Sequence, residues 1–435
     1  MTAHTSQQVT SIVPMDNRER GQEVKRIALW GNFGTLNLGN ECTLAAMLHN
    51  LRRRLPKAEL LCICSEPRDT ELRHQIRAVP MRAEVAHQTT KPMLRPLRQL
   101  RRLRRLAREC RAWIRAFAVM RHVDTLMIVG TGIMTDSGEG ALGFPYELFK
   151  WSLVTRLCGG NLLFVSVGVE SMTKPLTRAF LKAAFHLAVY RSCRDINSKQ
   201  LMRAIGFPGG HDKVYPDVAF SLPEDALTPI KFVLTSITSP KKRRKVVAIG
   251  LYNYRDRGTG GGDAASAYSG YLHRICSFII WLLRHGYRVR VIIGDYAYDE
   301  KVRTDVRAAL QARGETLKAE FYSDEPARSF EELIAQIESV DLVVASRFHN
   351  VLLSLILGKP VVSVSYDTKN EALMSQFGLT DYCQALDSLD VDHLLKQFRD
   401  LEQQAPLLRS SIQRKTWQFR VSLEEQYDLI QRAAG

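Results

Sequence analysis

An arginine and a histidine stand two apart in the segment SRFHN, residues 346–350, directly after a strongly apolar run. Arginine presents a planar fork that matches phosphate or carboxylate. Histidine gives or takes a proton near neutral pH. Arg347 and His349 could therefore hold an anion and do acid–base work on it, whereas the plainer reading is a helix cap beside a surface arginine. Arg194 precedes Asp195 just past the short segment VYRSC, residues 189–193. It is a second candidate anion clamp, the alternative being a salt bridge to Asp195 that contributes little at a surface. Lys369 lies in SYDTKN, residues 365–370. It could serve as a point charge oriented by Asp367, or belong to a solvated turn.

Two glycine-rich segments accompany these cations. GNFGTLNLGNE, residues 31–41, sits between an apolar run and a helical pattern. Glycines let backbone approach a ligand, and a helix N-terminus favours an anion. The spacing is not G-x-G-x-x-G, so a dinucleotide is not indicated. Asn32, Asn37, Asn40 and Glu41 make a polar set suited to sugar hydroxyls, against the alternative of a tight turn that binds nothing. GTGIMTDSGEG, residues 130–140, ends a second apolar run and brings Asp136. It reads as a loop over a cleft or as a flexible loop without a ligand.

All these segments follow short apolar runs, and that placement points to the elements behind them. Runs at 27–30, 59–66, 124–136 and 161–171 alternate with helical spacings, as do runs at 245–254, 287–295, 340–350 and 360–370. Such alternation specifies parallel sheets, whose ligands sit beyond the carboxyl ends of the strands. The fold class is thus α/β, with two Rossmann-like domains facing each other across a cleft. The expected division is a disordered leader over 1–22, an N-terminal domain over 23–222, a linker over 223–245 and a C-terminal domain over 246–435 that ends in helices.

The chain has 435 residues and a formal net charge of +16. Such an excess calls for an anionic partner. Residues 91–121 contain eleven Lys or Arg and one acid, Glu109, a local net of +10 that leaves +6 for the other 404 residues. Leu97, Leu100, Leu103, Leu106, Cys110, Trp113, Ile114 and Phe117 recur there at spacings of three and four. This is a basic amphipathic helix, fitted to an anionic membrane surface or, alternatively, packed on its own domain with a solvated basic face. PKKRRKV, residues 240–246, reads as a charged linker rather than a nucleic-acid patch, since no zinc, helix-turn-helix or RNA motif accompanies it. Nucleic acid is therefore not an expected partner. The eight cysteines are scattered, without C-x-x-C pairs or metal-ligand spacing. They suit a reduced, cytoplasmic protein. No run approaches the ~20 apolar residues of a membrane span.

In combination, the strand-end segments resemble the polysaccharide pyruvyl transferases. The matching stretches are GNFGTLNLGNE, GTGIMTD, VSVGVES, SCRDINSKQLMRAIG, YPDVAF and VVASRFHNVLLSLILGKPVVSVSYDTKN, in that order between residues 31 and 370. The resemblance implies a glycosyltransferase-B-like fold and transfer of a pyruvyl group from phosphoenolpyruvate to a sugar as a ketal, in exopolysaccharide or cell-surface glycan biosynthesis. It gives Arg347 and His349 the donor site and the catalysis, with Arg194 and Lys369 as further donor contacts. No cofactor is implied beyond the donor substrate. Asn40 stands where the family commonly has an aspartate, and Thr131 where it commonly has a glycine. The acceptor could be lipid-linked, which would suit docking of the 91–121 helix at the cytoplasmic face of the inner membrane. Two other classes stay open on sequence: a nucleotide-sugar glycosyltransferase of the same fold, and a non-catalytic protein that binds an anionic membrane or nucleic acid.

Overall fold

The computed structural model describes residues 24–82, 95–130, 132, 134–135, 140–207, 209, 212–227, 244–254 and 263–434. The expected leader and most of the expected linker lie outside the described residues, as do Thr131 and Asp136.

The first domain carries β1 (Arg26–Gly31), β2 (Glu59–Cys64), β3 (Arg77–Pro80), β4 (Thr125–Val129), β5 (Asn161–Val167), β6 (Tyr190–Cys193) and β7 (Lys213–Val214). The second carries β8 (Val246–Gly250), β9 (Arg288–Ile292), β10 (Tyr322–Ser323), β11 (Leu342–Ala345), β12 (Val361–Ser365) and β13 (Cys383–Ala385). Every pairing among them is parallel. The orders are β3-β2-β1-β4-β5-β6-β7 and β10-β9-β8-β11-β12-β13. Strands β4, β11 and β12 are buried along their whole length. They read as continuous apolar runs because helices cover both faces of each sheet. The five strands without such runs are short: the edge strands β3, β7, β10 and β13, and β6 beside β7.

The first domain's helices are α1 (Leu38–Arg54), α2 (Pro67–His74), α3 (Arg95–Met120), α4 (Phe144–Leu157), α5 (Pro175–Leu187), α6 (Ile196–Ala204) and the short α7 (Glu224–Leu227). The second begins with α8 (Asp263–Arg284), α9 (Tyr296–Ala312), α10 (Phe330–Glu338), α11 (Phe348–Ile356) and α12 (Thr368–Gln376). The last helix, α13 (Val391–Ala434), is long and carries Pro406 inside it. Its first half buries Leu394, Phe398 and Leu401 in the second domain's core. Its second half crosses to the first domain, a difference from the expected boundary, which assigned 246–435 to the second domain alone. There Gln426 donates to Ser192 Oγ and accepts from Ser166 Oγ, Tyr427 OH meets Ser221 Oγ, and Glu424 pairs with Arg53 and Arg54. The crossing ties the two domains together.

In both sheets strand order reverses beside the first strand, between β1 and β4 and between β8 and β11. Connections leave such a reversal in opposite directions and open a crevice at the strands' carboxyl ends. The two crevices face each other, and the loops after β1, β4 and β11 meet there.

Candidate active site

The loop after β1 is braced from beneath. Gly34 has φ +79°, and a Cβ there would fall 2.2 Å from the Glu66 carbonyl oxygen, so only glycine fits. Gly34 N–H donates to Glu41 Oε1 at 2.8 Å, and the other Glu41 oxygen meets His74 Nε2 at 2.8 Å. Glu41 is wholly buried in this role. It does not line the cleft among the acceptor-side residues with which its neighbours grouped it. Asn37 is the N-cap of α1 and accepts from Asn40 N–H. Asn40 Nδ2 donates back to the Asn32 carbonyl at 2.9 Å, fixing the loop as one unit.

This loop also clasps the second domain. Leu38 N–H donates to Gly294 O at 3.0 Å, and Tyr296 N–H to Leu36 O at 3.1 Å. Between them Asn37 Nδ2 donates to Asp295 Oδ2 at 2.9 Å. Burial pushes the Asp295 carboxyl up to about 6, with Arg347 opposing the shift.

Opposite α1, β11 ends at Ala345 and α11 begins at Phe348, which leaves Arg347 as the N-cap residue. Its guanidinium makes a bidentate pair with Asp299, at 2.8 Å from Nε and 2.7 Å from Nη2. It also lies 4.7 Å from the ring centroid of Tyr252, which stacks on Tyr366. Burial opposes its charge, but Asp299 outweighs burial and its pKa is raised. Arg194 lies over the Phe348 ring at 4.4 Å, donates to Asp217 at 3.3 Å and has Asp195 at 3.6 Å. Burial again opposes the charge and the two aspartates outweigh it. Asp195 also caps α6, its side chain accepting from Ser198 N–H. Gly168 lets the guanidinium pass, since a Cβ there would fall 2.4 Å from Nη2. Lys369 crosses the interface to Glu170 at 2.9 Å, with Asp367 at 3.6 Å. Burial opposes its charge, while Tyr366, Glu170 and Asp367 raise its pKa.

His349 sits among the three cations. A Cβ on Gly39 of α1 would fall 1.9 Å from its Nδ1, so that glycine is there to admit the ring. Its Nε2 is buried and has no hydrogen-bond partner among the described residues. Burial first, then Arg194, Lys369 and Arg347, push its pKa down to about 3. The imidazole is therefore neutral at physiological pH.

Arg194, Arg347, Lys369 and His349 line one cavity of about 200 Å³ with Asn32, Asn37, Asn40 and Gly132. Seven of the nine candidate site residues thus converge, Glu41 lies behind the wall, and Asp136 is outside the described residues. The carboxylates that hold the cations, Asp299, Asp217 and Glu170, were not singled out from sequence. Asp299 carried one cue: it stands four residues after the capping Asp295, hence on the same face of α9. The N-termini of α1 and α11 both open at the cavity, adding partial positive charge. Among the described residues no cluster of three His, Cys, Asp or Glu side chains is placed to hold a metal ion. What the arrangement can do is bind a small, multiply charged anion and move a proton beside it.

The family described as polysaccharide pyruvyl transferase matches residues 37–368 of the chain. No curated protein sequence matches it. Among solved structures it is similar to the UDP-GlcNAc 2-epimerase of Neisseria meningitidis, with TM-score 0.56, 10% identity, and coverage of 92% of this chain and 100% of that one. It is similar also to the UDP-GlcNAc 2-epimerase of Methanocaldococcus jannaschii, with TM-score 0.56, 10% identity, and coverage of 86% and 92%. These likenesses establish the two-domain, glycosyltransferase-B-like fold expected from the alternation of strands and helices.

Proposed function

Because the chain belongs to the polysaccharide pyruvyl transferase family, we propose that it transfers a pyruvyl group from phosphoenolpyruvate to a saccharide as a ketal. The observation that supports this most is the convergence of three paired cations and a neutral histidine on one small interdomain cavity. Phosphoenolpyruvate carries a phosphate and a carboxylate, and Arg194, Arg347 and Lys369 can meet both while their own carboxylates hold them in place. The cavity, at about 200 Å³, is below the ~300–1,000 Å³ of drug-sized pockets. That size favours phosphoenolpyruvate over the bulkier nucleotide sugar of the competing glycosyltransferase reading.

His349 is the acid–base group. Its ring is neutral while the three cations surround it, and the donor's negative charge offsets their field so that the ring can hold a proton. That proton goes to C3 of the donor, drawing on the C2–C3 π electrons and leaving C2 electrophilic. A saccharide hydroxyl bonds to C2 and its proton returns to the ring. The C2–O bond to phosphate breaks, with Arg194 and Arg347 stabilising the charge on the departing oxygen. A second hydroxyl of the same sugar then bonds to C2, its proton going to the departing phosphate, and closes the ketal. Phosphoenolpyruvate and a diol thus become a ketal and phosphate. Asn32, Asn37 and Asn40 on the facing wall offer amide groups to the saccharide. The acceptor is a cell-surface or exopolysaccharide intermediate, free or lipid-linked.

Incubation with phosphoenolpyruvate and candidate oligosaccharides, free and lipid-linked, tests this. Phosphate release that requires the acceptor, with a pyruvate ketal on the product, is expected. Consumption of a nucleotide sugar with phosphoenolpyruvate untouched would overturn it.

A further inference from the structure

Helix α3 is amphipathic in sequence, but its apolar residues are divided between two faces. Ala116 and Met120 are buried in the first domain's core, with Trp113 and Val119 packed beside them, and Ala112 is buried on the same side of the helix. Trp113 Nε1 donates to Tyr146 OH at 3.0 Å. These contacts are enough to hold the helix on α4. Leu106, Ile114 and Phe117 are left 63%, 67% and 38% exposed, and Cys110 is exposed as well. Spaced by four, four and three residues, these four fall on one face. An apolar ridge of this kind on a soluble protein marks a docking surface.

The charge around the ridge says what it docks to. Arg104 and Arg111 are exposed and Arg108 and Arg115 half-buried. Among the described residues none of the four pairs with a carboxylate. The helix's one acid, Glu109, is engaged from the domain side, accepting from Tyr146 OH at 2.6 Å and pairing with Lys150 at 3.2 Å. It therefore subtracts little from the field of the outward arginines. An apolar ridge flanked by unpaired arginines complements a surface that is oily within and anionic outside. Among the described residues no helix is long and apolar enough to cross a membrane, so the contact is one of lying on the surface.

We infer that α3 docks the protein on anionic lipid through Leu106, Cys110, Ile114 and Phe117, with its arginines on the headgroups. This goes beyond the donor chemistry and does not depend on it, because docking needs neither phosphoenolpyruvate nor His349.

Flotation of the full chain with vesicles tests the inference. Vesicles of phosphatidylcholine and phosphatidylglycerol at three to one are compared with phosphatidylcholine alone. The wild type should float with the anionic vesicles, not with the neutral ones, and should be released by high salt. Replacing Arg104, Arg111 and Arg115 with glutamine should weaken binding roughly 100-fold, at about a factor of five per arginine near a charged surface. The pair I114E and F117E should weaken it at least about tenfold. Phosphate release with a free oligosaccharide, unchanged in both variants, shows that they fold. Equal binding to neutral vesicles, or variants that float like wild type, would overturn the inference. So would a wild-type dimer in size-exclusion chromatography that I114E and F117E convert to monomer, because the ridge would then be covered by a second copy.

Discussion

Two groups of positive charge in this molecule are held in opposite ways. In the cleft, Arg194, Arg347 and Lys369 are largely buried, and each is fixed by carboxylates: Asp217 and Asp195, Asp299, and Glu170 and Asp367. On α3 the arginines from 104 to 115 crowd one exposed helix, with Glu109 drawn to Lys150. The cleft cations add almost nothing to the net charge of +16, since their partners cancel them. They are held in one geometry, as the proposed small donor requires. Arg104, Arg108, Arg111 and Arg115 have no carboxylate partner among the described residues and suit a diffuse partner. A net charge therefore locates a surface, while the chemistry is found where charges are paired and buried.

The comparison breaks most sharply at His349. Replacing it with alanine should lower ketal formation by ~10²–10⁴-fold, the usual span for an acid–base group, with thermal unfolding near that of wild type. Full turnover by that variant would move the acid–base role elsewhere. Next in size is Asp299→Ala. It leaves the Arg347 guanidinium buried without its partner, which costs about 3–5 kcal/mol. Chemical denaturation should report that loss, and donor titration should report weakened phosphoenolpyruvate binding. Gly39→Ala forces a methyl into the His349 ring, where the open distance is 1.9 Å. Overpacking of this kind costs about 1–3 kcal/mol, and turnover should fall with it because the ring must move. Unchanged stability and turnover would show that His349 is not held where the structure places it.

A further effect comes from pH. The folded His349 pKa of about 3 lies below the ordinary 6.5. The unfolded chain therefore binds a proton that the native state refuses as pH falls below 6.5. Stability contributed by the neutral ring is present above that value and declines toward pH 3, by at most about 1.4 kcal/mol per pH unit. Denaturation across that window should show a slope that His349→Gln reduces. The smallest effect belongs to the helix: replacing Arg104, Arg111 and Arg115 with glutamine should leave donor affinity within about twofold, since exposed charges beyond a Debye length of ~8 Å are screened.

Much of this was legible in the chain. Strands such as β4, β11 and β12 show as apolar runs because both faces are covered, and the residues just past them carry the site. Arg194, Arg347, His349 and Lys369 were found by that rule of position, and three of the four polar residues of the 31–41 loop by the chemistry of their side chains. The fourth, Glu41, shows the limit. Its neighbours face the cleft, but one step along a helix turns a side chain by about 100°, and Glu41 points into the wall. Asp299, Asp217 and Glu170 stayed hidden because an acid that grips a buried cation looks, in sequence, like any surface acid. The second half of α13 was assigned to the wrong neighbour for a related reason: its amphipathic pattern says that one face is buried, not against which domain. On α3 the stripe of spacings was correct as a pattern, yet the structure packs Ala112, Ala116 and Met120 instead and leaves Leu106, Ile114 and Phe117 outward.

The account stands or falls on which ligand enters the interdomain cavity. Isothermal titration of the full chain with phosphoenolpyruvate, and separately with a uridine diphosphate sugar, decides it. Phosphoenolpyruvate should bind with a one-to-one stoichiometry that is lost in Arg347→Ala, and the nucleotide sugar should give no heat. Binding of the nucleotide sugar with none of phosphoenolpyruvate would contradict the account and make the cleft a glycosyltransferase site.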